Sequence, residues 1–181
     1  MLIFLIILIL VLGLFFVSTK NGLIQSRNTV EEAFSTMDVY LKQRWDLVPN
    51  LVSTVKGYAS HEESVLKEIT ELRNTTYSSL NPEQKINENN KLSSNLNKLL
   101  AISENYPELK ASENFNSLQA QLTKIEGDIA NARKYYNGAV KQYNNKVEMF
   151  PSSIIANMLN YQKREMFIAN EGDRENVKVE F

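Results

Sequence analysis

The chain has 181 residues, 20 basic and 21 acidic, for a net charge of −1, which argues against a nucleic-acid surface with its excess of Lys and Arg. Cysteine is absent, and this excludes disulfides, thiolate catalysis, lipoprotein anchoring and Cys-ligated metal together. Six Gly and four Pro suit long helices rather than a many-turned β fold.

Residues 1–17, MLIFLIILILVLGLFFV, carry no charge. As a helix they span ~26 Å, the short end of what a bilayer core of ~30 Å requires. Ser18 and Thr19 extend the span, because a helix satisfies their hydroxyls through its own carbonyls. A cleaved signal peptide is the rival reading. Against it, no basic segment precedes the run, the run is longer than a usual signal core, and no Ala-x-Ala site follows. Residues 1–19 are therefore expected to be an uncleaved transmembrane anchor and 20–27 a juxtamembrane linker. Lys20 and Arg27 follow the span, which predicts a short external N-terminus and a cytoplasmic domain. The ~160 residues beyond the anchor suffice for one domain with a core.

Val30, Phe34, Met37, Leu41, Trp45, Val48, Val52 and Val55 recur at alternating steps of three and four, one apolar seam about four heptads long. The first soluble helix is expected to begin at Asn28 or Thr29 as N-cap, with Glu31 and Glu32 in its first turn. Pro49 removes an N–H and crowds the Trp45 carbonyl, which predicts a kink. At Gly57 either the helix stops and restarts through a Ser60–Glu63 capping box, or it bends and runs on to Ser79. This second piece carries Val65, Leu66, Ile69 and Leu72.

Asn81-Pro82 is a helix restart, an N-cap followed by Pro at the first helical position. The helix after it is expected to reach about Asn105, with Leu92, Leu96, Leu99 and Leu100 on one side, although Asn in its first half is a poor helix former. Tyr106-Pro107 predicts an extended turn. Phe115, Leu118, Leu122, Ile125, Ile129, Ala132, Tyr136, Ala139, Tyr143, Val147 and Phe150 then follow steps of three and four. That is about five heptads, or ~54 Å of helix, ending at Pro151.

The expected fold is all-α: an N-terminal transmembrane helix followed by a long antiparallel four-helix bundle over residues 28–150, with coiled-coil-like seams. Residues 151–169 read as a short amphipathic helix with Ile154, Ile155, Met158 and Leu159 on one face. It either docks on the bundle or lies in the membrane interface, for which it lacks a clear basic face. Residues 170–181 read as a polar tail whose alternating end, VKVEF, either docks or is disordered.

Signals for chemistry are sparse. His61, the sole histidine, lies in HEESV without the second His that a helical zinc protease needs. No GxGxxG, P-loop or nucleophile elbow occurs. No catalytic, cofactor or metal residue is therefore expected, and no enzymatic activity. Asp38, Arg44, Trp45, Asp46 and Asn50 mark the polar irregularity in the first seam. They read either as solvent-facing charge beside the seam or as a polar layer in the bundle, with Asn50 serving carbonyls freed at Pro49. Trp45 and the tyrosines at 135, 136 and 143 read as core or groove-edge residues.

The run NTVEEAFSTMDVYLKQRWDLVPNLVSTVKGYASHE closely resembles the LemA family, whose hallmark is an LKxRxDLVPNLVxTVKGYAxHE-like block. ENYPELKASENFNSLQAQL, IANARKYYNGAVKQYNNKVEMFPSSIIA and the closing VKVEF match later blocks in order, so the resemblance covers nearly the whole chain. Val177 stands where relatives often carry Pro. The resemblance implies a single-pass bacterial membrane protein with an external N-terminus, a helical bundle domain and an unassigned molecular function. Family genes often lie beside those for membrane proteases, which suggests an adaptor. The expected partners are the lipid bilayer through residues 1–19 and an unidentified membrane or envelope protein, with no nucleic acid. The alternative is a small-ligand sensor or a regulator of an envelope or membrane-protease system, using a pocket at Pro49.

Overall fold

The structure, a computed structural model, describes residues 1–59, 61–72 and 77–167. Every regular element among them is helical: α1 (Leu2–Tyr58), α2 (Glu63–Leu72), a 3-10 turn (Tyr77–Ser79), α3 (Pro82–Ser103), α4 (Pro107–Lys110), α5 (Glu113–Glu148) and α6 (Ser152–Met158). The expected tail at 170–181 and the Ser60 cap lie outside the described residues.

The expected helix start at Asn28 is corrected, since α1 runs without interruption from the apolar segment through residues 20–27 to Tyr58. No proline stands between Leu2 and Pro49 to stop it, and Ser or Thr inside a helix can return its hydroxyl to the preceding turn. Ser26 Oγ donates to Gly22 O and Thr29 Oγ1 to Gln25 O, each as an interior helical residue would. The helix also continues through Pro49. It ends at Tyr58, beside Gly57, and α2 (Glu63–Leu72) follows, so of the two alternatives at Gly57 the helix stops and a new one begins.

The chain divides into two units, one built from Met1–Thr36 with Ala132–Phe167 and the other centred on Met37–Asn131. The second unit is a four-helix arrangement whose directions follow from its side-chain contacts. Asp38 pairs with Lys85 and Arg44 with Asn89, so α1 and α3 run parallel. Glu68 pairs with Lys98 and Glu62 with Tyr106, so α2 runs antiparallel to α3. Met37, Leu41, Val48, Leu51 and Val55 of α1 are buried together with Ile69, Leu92, Leu96, Leu99, Phe115 and Leu122. The Asn81 restart forms as expected: its side chain accepts from the Gln84 backbone N–H while Gln84 Oε1 accepts from the Asn81 N–H, with Pro82 at the first helical position. This reciprocal cap satisfies two of the helix's orphan donors. It starts α3 despite the Asn-rich stretch that follows.

The first unit pairs α1 with the end of α5 in antiparallel register. Phe34 meets Tyr136 edge-on at 5.9 Å between ring centroids, and Lys146 Nζ donates to Gly22 O at 3.0 Å. Leu23, Val30, Ala33, Tyr136, Ala139, Val140, Tyr143 and Val147 are buried. Phe150, expected as the last seam residue, is instead 80% exposed, because α5 stops at Glu148 and the chain turns. Helix α6 is shorter than expected. Beyond it Asn160 takes a left-handed φ of 56°, and the Tyr161 and Asn160 N–H groups return to Ala156 O and Asn157 O. This pattern closes a helix and reverses the chain.

Residues 161–167 then lie along α5 as an extended strap, which sequence periodicity did not reveal. Asn137 Nδ2 donates to Phe167 O and its Oδ1 accepts from Phe167 N–H. Asn144, one heptad earlier in the strap's direction, does the same for Arg164. Tyr143 and Tyr136 donate to Gln162 O and Glu165 O, and Arg133 covers the Phe167 ring at 4.0 Å. The strap's backbone is thus satisfied by α5 side chains rather than by a sheet.

Candidate functional site

The buried positions of α1 explain where the polar site forms. Leu23, Val30, Met37, Arg44 and Leu51 recur at steps of seven and are each 4% exposed or less. Arg44 therefore occupies a seam position that apolar residues fill elsewhere. Its side chain is 0% exposed, and burial of a guanidinium requires partners for its donors. One terminal nitrogen donates to Ser93 Oγ at 2.8 Å and Glu126 Oε1 at 2.7 Å. The other donates to the carbonyl and the side-chain oxygen of Asn89, both at 2.9 Å. Three helices, α1, α3 and α5, are thereby tied at one level. The solvent-facing reading of Arg44 is corrected: the residue lies inside the bundle.

The network extends along α1. Asn89, fully buried, donates to Lys85 O at 3.0 Å, and Ser93 Oγ donates to Asn89 O at 3.1 Å. Lys85 Nζ reaches Asp38 Oδ2 at 2.6 Å, and the Tyr77 hydroxyl donates to Asp38 Oδ1 at 2.7 Å. Trp45, 4% exposed, packs on the Tyr77 ring at 5.4 Å between centroids, while Lys85 stands 5.0 Å over that ring. Burial, then the hydrogen bond and negative charge of Asp38, push the Tyr77 phenol far above its usual range. A neutral phenol is what this arrangement needs, because only the protonated hydroxyl can donate to the carboxylate.

Of the five residues singled out from the sequence, the structure gathers Asp38, Arg44 and Trp45. Asp46 is exposed and pairs with Lys42 one turn away at 2.5 Å. Asn50 is exposed too, and Thr54 donates to its backbone carbonyl. Asn50 therefore does not join the layer. Sequence reasoning missed Tyr77, Lys85, Asn89, Ser93 and Glu126. One signal was present: the seven-residue recurrence from Leu23 to Leu51 passes through Arg44, marking it as interior.

Chemically, the layer is a set of hydrogen bonds gathered around one guanidinium. The partners of the guanidinium are neutral amide, hydroxyl and carbonyl groups plus one carboxylate. His61 stands exposed in the turn before α2. Among the described residues no group of three or more His, Asp or Glu side chains is placed to hold a metal. A separate cleft of about 480 Å³ in the first unit is lined by Arg27, Tyr143, Tyr161, Lys163 and Arg164 among others, and burial raises the Tyr143 phenol.

The model of the LemA family matches residues 33–181. The chain is similar to Protein LemA of Metamycoplasma hominis, with 25% identity across 96% of this chain and 81% of that protein. It is also similar to magnetosome proteins MamQ 1 and MamQ 2 of Paramagnetospirillum magneticum, at 28% identity over 72 residues. That stretch is 40% of this chain and 26% of each of those proteins.

Proposed function

The chain belongs to the LemA family, and from that premise we propose that it is a membrane-anchored adaptor, a helical bundle held at the bacterial inner membrane to engage another membrane or envelope protein. One observation carries the reading. The apolar segment at the start of α1 is long enough to cross a bilayer, and none of it is buried within the protein, yet the same helix supplies the bundle's main seam. A segment so apolar and so uncovered in water would be an aggregation liability, and lipid is the solvent that suits it. The buried Arg44 layer supports the same reading, since buried polar layers of this kind can fix register, a role that suits a rigid platform. Lys20 and Arg27 favour an external N-terminal side and a cytoplasmic bundle.

Sidedness tests this directly. The native chain has no cysteine, so a Ser78→Cys variant gives one exposed thiol for a membrane-impermeant reagent. Labelling only after lysis is the expected result. Labelling in intact spheroplasts would reverse the orientation and replace cytoplasmic partners with envelope ones. Photo-crosslinking from Val39, an exposed apolar residue of α1, tests the adaptor role. A discrete adduct that forms in native membranes is expected, and its absence along the exposed faces would count against a protein partner. The ligand-sensor reading rests on the Arg27–Tyr143 cleft. A metabolite that raises the melting temperature of the wild type but not of Arg27→Ala would favour it, since binding stabilises the native state by mass action.

A further inference from the structure

We propose that the turn between α5 and α6 is a second membrane contact, inserting an apolar stripe into the interfacial layer of the leaflet from which the anchor emerges. The stripe consists of Phe150, Ile154 and Met158, with Met149 beside it, at exposures of 80%, 60%, 62% and 60%. Ile154 and Met158, four apart, lie on one face of α6, and Phe150 stands in the turn just before it. The opposite face is spent within the protein, with Ile155 and Ala156 at 4% and 0% exposure. Helix α6 was expected to present Ile154, Ile155, Met158 and Leu159 as one surface. The structure divides them, leaving an apolar face that is exposed among the described residues.

The register of the first unit says what covers it. Phe34 lies against Tyr136 and Gly22 against Lys146, so α1 and α5 descend past one another residue for residue. Four residues beyond Lys146 is Phe150, and four residues before Gly22 is Ser18, which adjoins Val17 at the end of the apolar run. The Phe150 end of the stripe thus lies level with the mouth of the membrane span, to within about one helical turn or ~5 Å. The interfacial region outside the hydrocarbon core is itself about 5–7 Å deep, and interfacial helices bury their apolar face by about that amount. Lys20, exposed at the same level, places a cation among lipid phosphates. An aromatic, an isoleucine and two methionines at this height are favoured in the interface and disfavoured in water. Together with the anchor they give the first unit two points on the bilayer, which limits its swing about α1.

This inference rests on the anchor reading, and the test separates the two. Single cysteines at Leu10, Ile154 and Lys134 of the full chain carry a nitrobenzoxadiazole fluorophore, with the protein reconstituted in phosphatidylcholine–phosphatidylglycerol vesicles. Nitroxide lipids then quench from shallow or deep positions. The expected pattern is deep quenching at Leu10, shallow quenching at Ile154, and severalfold weaker quenching at Lys134, three turns or more from the corner. Adding Phe150→Asp and Met158→Asp should abolish the shallow quenching at Ile154 and leave Leu10 unchanged. If Ile154 behaves like Lys134 while Leu10 is quenched, the anchor stands and this inference fails. An emission shift at Ile154 without lipid quenching would mean that protein covers the stripe, which also overturns it. If neither Leu10 nor Ile154 is quenched, both readings fall.

Discussion

Replacing Arg44 with alanine removes a side chain that is wholly buried and donates to Ser93, Glu126 and Asn89. Three terms set the cost. Loss of about two buried methylenes of the stem removes about 1.6 kcal/mol. The side-chain oxygen of Asn89, in a residue with 0% exposure, loses the donor that satisfies it, which costs about 1–2 kcal/mol. Glu126 is 42% exposed and can be rehydrated, so the loss of its ion pair adds little. The Asn89 carbonyl keeps the Ser93 hydroxyl. The sum is about 3 kcal/mol, at the low end of what breaking a buried pair typically costs. Arg44→Met, which restores apolar volume, should recover more than half of it.

Urea unfolding of the full chain in detergent, followed by the fluorescence of Trp45, measures this loss. Trp45 is the single tryptophan and lies buried against Tyr77, so it reports on the unit that holds the layer. With a slope of about 2 kcal/mol/M, the Arg44→Ala midpoint should fall by about 1.5 M. A loss below about 0.5 kcal/mol, the range of an exposed surface substitution, would refute the inward placement of Arg44 and with it the polar layer.

Tyr77→Phe deletes the hydrogen bond to Asp38 and should cost about 1–2 kcal/mol near neutral pH, read from the same urea midpoint. The folded-state phenol is raised above its unfolded value, so its contribution is full below pH ~10, the unfolded pKa, and is lost as pH climbs toward the folded value. Wild type should therefore lose stability above pH ~10 more steeply than Tyr77→Phe, by up to about 1.4 kcal/mol per pH unit; parallel curves would contradict the buried-phenol argument. Asn81→Ala removes the reciprocal cap of α3 and should cost about 1 kcal/mol, with faster amide exchange confined to residues 83–86 at first. No change at those amides would mean that the cap is not formed. Asn137→Ala removes both bonds to Phe167 and should speed exchange of the Phe167 amide by at least about tenfold, as expected for about 1.4 kcal/mol of local stability. Unaltered exchange there would show that Arg133 and the tyrosines hold the strap without it.

What the sequence by itself determined is what repeats or punctuates locally. An uncharged run of 17 residues, seams at steps of three and four, and the Asn81-Pro82 restart are properties of neighbouring residues, and each lies in a helix of the structure. Helix ends were less legible where the same residues serve two roles. Asn28 and Thr29 suit an N-cap and also tolerate a helix interior, and nothing nearby forced α1 to begin again. Tertiary structure alone decided the rest. Arg44 finds the partners of its two terminal nitrogens 45, 49 and 82 residues away, so no local pattern shows what they bond. Burial of a charge depends on donors and acceptors brought together by packing, whereas periodicity records only which face turns inward. The fate of α6 has the same origin: four apolar residues on a short helix look alike in sequence, and only the turn at the end of α5 buries Ile155 while leaving Ile154 and Met158 exposed.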